Sequence, residues 1–173
     1  MQSAQSIGRA LYRIVFRGGT PQRIQYSTQL LLTGIGLTLV CTVVSGRYFF
    51  SLSAVEIGLV LFTLLSGLYI GAALLTRSVP RAKLRASLLT VLLLLALAGL
   101  VLVLLIPLRG LEPMFVPIAG LIVLTGVISG TTNTMQYARG GSRASAALTT
   151  IAFAATLGAL YATLRWLLET VFS

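Results

Sequence analysis

Twenty-three residues, Ala86 to Leu108, separate Arg85 from Arg109 without a charge, and their centre reads LLTVLLLLALAGLVLVLLI. As a helix rising about 1.5 Å per residue, the stretch measures roughly 34 Å, against roughly 30 Å for the hydrocarbon core of a bilayer. The same helix buried in a water-soluble protein would need a large surrounding shell, and the chain has only 173 residues. It reads as a membrane span. With 57% hydrophobic and 9% charged residues, no ordinary water-facing surface can be built, so most side chains face lipid or one another.

Four more spans follow from the same reasoning, giving an all-α, polytopic membrane helix bundle of five transmembrane helices with a short N-terminal amphipathic segment. The expected division is a basic cytoplasmic segment over 1–28 and a transmembrane domain over 29–173, with spans at about 29–46, 55–76, 86–107, 114–133 and 144–168. In the first segment Ile7, Leu11 and Ile14 recur at helical spacing, and Arg9 and Arg13 lie one turn apart on another face. Such a helix suits the headgroup region. Gly18, Gly19, Thr20 and Pro21 end it. A cleaved signal peptide is not expected, because the first apolar run leads into Gly46, Arg47 and aromatics rather than a small-residue cleavage site.

Small residues four apart let helix backbones approach closely, and three such sets are candidates for helix packing: Gly67 with Gly71, Gly126 with Gly130, and Ala154 with Gly158 and Ala162. The spacing does not separate contacts within the chain from contacts in a homo-oligomer or with another membrane protein. Tyr48, Phe49 and Phe50 read as an interfacial aromatic belt after span one. The far end of span four is unusually polar, with Thr131, Thr132, Asn133, Thr134 and Gln136 in succession. It is read as a helix end emerging into water, with a polar lining or a partner contact as the alternative.

The net charge of +10 does not indicate nucleic acid, since the cations punctuate apolar runs instead of clustering beside aromatic stacking platforms. The punctuation is topological. Ten of the thirteen basic residues fall in the N-terminal segment and in the turns after spans two and four. Arg47, Arg109 and Arg165 share the other side with all three acids, Glu56, Glu112 and Glu169. A cytoplasmic N-terminus and an outer C-terminus follow. Seven cations, Arg9, Arg13, Arg17, Arg77, Arg81, Lys83 and Arg85, then face the cytoplasm without a counter-charge, which suits anionic lipid or an acidic partner, or topology signalling alone.

Catalysis is not expected: there is no histidine, the one thiol, Cys41, lies inside an apolar run, and three carboxylates cannot assemble the usual base or metal site. No cofactor or metal is expected. No acidic residue lies inside a span, which argues against ion-coupled transport. What remains is a scaffold or accessory role, with a passive or oligomeric pathway for a small solute or lipid as the alternative.

Five spans, very short loops, a basic N-terminus and the approach LYRIVFRGGTPQRIQYSTQLLL resemble the Yip (Ypt-interacting protein) superfamily, in particular its small bacterial relatives. The resemblance implies a trafficking-like or membrane-organising integral protein. It extends to layout and to no functional residue. The acidic, aromatic motif through which eukaryotic members contact small GTPases has no counterpart here. Twelve arginines to one lysine, with abundant Leu and Ala, suggest a bacterial inner-membrane protein.

Overall fold

The structure, a computed structural model, describes residues 4–19, 21, 24, 26–76, 79–108, 110 and 114–172. Among them six α-helices run in order: α1 (Ala4–Arg17), α2 (Thr28–Val44), α3 (Ala54–Thr76), α4 (Arg81–Leu104), α5 (Phe115–Arg139) and α6 (Arg143–Phe172). Among the described residues there is no strand. The last five helices are each long and apolar enough to cross a membrane, over Thr28–Phe49, Ala54–Ala73, Arg81–Leu104, Phe115–Arg139 and Arg143–Leu168. The protein is a multi-pass membrane helix bundle.

Local chemistry sets the helix boundaries. Ser27 caps α2, its hydroxyl accepting from the Leu30 amide at 3.0 Å. Ser53 and Glu56 form a capping box at α3: the Glu56 carboxylate accepts from the Ser53 amide at 2.8 Å, and the Ser53 hydroxyl accepts from the Glu56 amide at 3.2 Å. Gly140 closes α5 at φ 64°, a left-handed position that favours glycine. At the far end of α2 the helix does not stop near Gly46 but widens into a π turn over Ser45–Phe49. That turn rotates Phe49 inward. Phe49 is fully buried against Leu102 and Ala119, with its ring centroid 6.4 Å from that of Phe115. The expected aromatic belt therefore fails for Phe49, a core residue, while Tyr48 and Phe50 are exposed.

The bundle is organised around α4, which packs on α2 and α5 and more lightly on α3. Its contact with α2 is close because α2 turns a row of small side chains to it: Gly34, Thr38 and Cys41, at spacings of four and three. The Thr38 hydroxyl lies 2.8 Å from its own helix's Gly34 carbonyl and 3.2 Å from the Leu92 carbonyl of α4. A Cβ added at Gly99 of α4 would stand 2.6 Å from Cys41 Cβ, so only glycine fits there. On the outer side α6 reaches α3 through Phe153 and Leu157. The two are also joined by an ion pair, Arg165 to Glu56 at 3.7 Å.

Candidate functional site

The most structured polar region lies where α1 meets α5. α1 is amphipathic as expected, but its apolar stripe is taken up by protein: Ala10, Leu11 and Ile14 are buried with Ile24 and with Leu89, Leu93 and Leu94 of α4. A helix's last carbonyls have no partner within the helix. For α1 two of them are met by α5. Asn133 Nδ2 donates to the Ile14 carbonyl at 2.6 Å, and Ser129 Oγ donates to the Val15 carbonyl at 2.9 Å. Gly18, at φ 63°, then turns the chain, and the Gly19 amide donates to the Arg13 carbonyl at 2.9 Å.

These contacts explain the polar end of span four. Thr132, Asn133 and Thr134 are buried, and α5 continues past them to Arg139. Asn133 and Ser129 lie six and ten residues inside that end, about 9 and 15 Å along the helix. The region is a partner contact, with the partner supplied by the chain itself. Thr134 returns its hydroxyl to the Gly130 carbonyl at 2.8 Å.

The small-residue sets separate by role. Gly130 lies under α1 and α4: a Cβ there would stand 2.7 Å from Leu94 Cδ1 and 3.2 Å from Val15 Cγ2. Gly126, one turn away, has only Val15 Cγ1 at 4.0 Å. Gly67 faces Leu157, with the added Cβ at 2.7 Å, and Gly71 faces Phe153 at 3.4 Å. Ala154, Gly158 and Ala162 are exposed, one position off the Phe153 and Leu157 face that α6 turns to α3.

Of the expected cationic set, Arg9, Arg13 and Arg17 are exposed on α1, with the Arg17 guanidinium 6.0 Å from the Tyr12 ring centroid. Arg81 is exposed at the start of α4. Lys83 and Arg85 lie over aromatic rings, 5.5 Å from Tyr137 and 5.7 Å from Tyr26. Arg77 lies outside the described residues. Among the described residues, the set is thus carried by the exposed side of α1 and by the first turns of α4.

Beside α1 an apolar cleft of ≈ 300 Å³ opens between α1, α4 and α5. Gly8, Tyr12 and Phe16 form its α1 edge, and Leu97, Val101 and Ile122 line the opposite walls. Two features central to this architecture, Gly99 and the α2 row Gly34, Thr38 and Cys41, carried no expectation from sequence. Gly99 has Leu95 and Val103 four positions on either side, so the small-residue spacing does not flag it. The α2 row could have been found from its regular spacing. No family model, curated protein or solved structure matches the chain.

Proposed function

We propose that the protein is an integral membrane scaffold or accessory protein of Yip-like type, one that organises the bilayer or a membrane-protein partner without catalysis. The carrying observation is α6: a helix long enough to cross the membrane that leaves its Ala154, Gly158 and Ala162 stripe exposed while packing through larger side chains. Small residues allow a second helix to approach closely, and here that place is open. The basic distribution supports an N-terminus in the cytoplasm and a C-terminus outside, in a bacterial inner membrane, with anionic lipid at the cytoplasmic face.

A passive pathway for a solute is the weaker reading. Thr125, Thr150, Thr156 and Thr163 each donate to the carbonyl four residues earlier, at 2.8–2.9 Å, so these hydroxyls are engaged within their own helices.

Purification in mild detergent after crosslinking in membranes through Gly158→Cys tests the scaffold role. A second membrane protein should be recovered at that position; recovery of monomeric chain alone overturns the scaffold reading. For the orientation, a reporter active only in the cytoplasm should be silent after Ser173 and active in the Pro80 turn. The reverse pattern overturns the topology.

A further inference from the structure

The cleft beside α1 adjoins two of the helix's arginines. Its walls are apolar, and within a membrane apolar walls alone choose nothing, because lipid tails are as apolar as leucine. Selection has to come from polar groups at the rim. Arg9 stands three residues before Tyr12, and Arg13 three before Phe16, so each arginine is one helical turn from a ring that lines the cleft. Among the described residues neither arginine has an ion-pair partner, and both are exposed. A volume of ≈ 300 Å³ has room for an alkyl chain and not for several turns of a helix about 10 Å across.

We propose that this cleft is a binding site for one anionic glycerophospholipid, with a single acyl chain lying between Gly8, Tyr12 and Phe16 and the α4–α5 wall, and its phosphate between Arg9 and Arg13. The two halves of the ligand have separate jobs: the chain fixes the lipid's position, and the headgroup makes the choice between lipids. α1 is suited to hold such a site because Asn133 and Ser129 fix its C-terminal turn on α5. The site needs only the membrane-spanning fold and stands apart from the scaffold reading.

The test counts lipids retained by the purified full chain in native mass spectrometry, from mixed micelles of phosphatidylglycerol and phosphatidylcholine with identical chains. The unmodified protein should retain one phosphatidylglycerol, with about a ten-fold preference over phosphatidylcholine. Gly8→Leu places its side chain in open space, since nothing lies within 4 Å of its Cβ position, and improves the helix propensity of α1. It should fill the cleft and abolish retention while thermal melting is kept. Gly126→Leu, on the opposite wall, should do the same. Arg9→Gln with Arg13→Gln should leave one retained lipid but remove the preference. Equal retention of both lipids by the unmodified protein overturns the proposal. So does undiminished retention in both leucine variants, or displacement of the lipid by free glycerol phosphate, which has a headgroup and no chain.

Discussion

α4 and α6 are both long, apolar helices that can cross a membrane, yet 44% of α4's apolar window is buried inside the bundle and only 6% of α6's. α4 is also the more apolar of the two, but in lipid an exposed leucine costs nothing, so apolarity alone does not bury a helix. Shape does. α4 meets small side chains on its neighbours, Gly34, Thr38 and Cys41 on one side and Gly130 on the other. α6 turns Phe153 and Leu157 inward and its small residues outward, so it adheres to α3 without being enclosed. Glycines of α3, Gly67 and Gly71, receive α6 as well, so what sets α4 apart is that small residues meet it on two sides, while α6 keeps its own small face outward.

The sharpest way to break this contrast is Gly99→Leu. Cys41 Cβ cannot swing away as a side-chain tip would, so α2 and α4 must separate, at a cost of about 3 kcal/mol in unfolding measurements in detergent. A loss no larger than that of an exposed-site variant would mean α4 is not held as described. Asn133→Leu comes next. It strips the Ile14 carbonyl of its donor at a buried position, with an expected loss of about 2 kcal/mol. Limited proteolysis should then cut near Gly18 faster, and an unchanged cleavage rate would count against α1 being held by α5.

Smaller effects belong to the periphery. Gly67→Ala meets the tip of Leu157, which can turn, and the gain in helix propensity offsets the shift, so stability should change by less than about 1 kcal/mol. A loss as large as that of Gly99→Leu would place α6 among the central helices. Gly158→Leu should leave the chain's own melting within about 0.5 kcal/mol, because nothing within 4 Å opposes the new side chain. A marked drop in melting for the isolated chain would show that this face is already packed.

The five spans were legible because a bilayer demands a single property over about 20 residues, and a run such as Ala86–Leu108 states it without any tertiary information. The contacts between spans were less so. Asn133 reads as a helix end in water because its acceptor, the Ile14 carbonyl, lies 119 residues earlier in the chain. Phe49 reads as a belt residue because its inward rotation depends on a π turn, which leaves no periodic trace. Gly99 stands alone among large neighbours, and its meaning comes from Cys41 on a different helix. Gly67 and Gly71 were visible by spacing, but that Leu157 and Phe153 would face them was not.

The pinning of α1 also sets a clock. Ile14 leaves the ribosome long before Asn133, and at about 5–20 residues per second the 119 positions from one to the other take roughly 6–24 s to synthesise. Throughout that time α1 lacks the donor for its terminal carbonyl, and until Leu89, Leu93 and Leu94 have been made it also lacks the α4 surface for its apolar stripe. A helix with Leu11 and Ile14 on one face and Arg9 and Arg13 on another can wait at a membrane surface, partly satisfied, until α4 and α5 arrive. The amphipathic character of α1 thus suits two successive environments: a lipid surface while the chain is being made, and the flank of its own bundle afterwards.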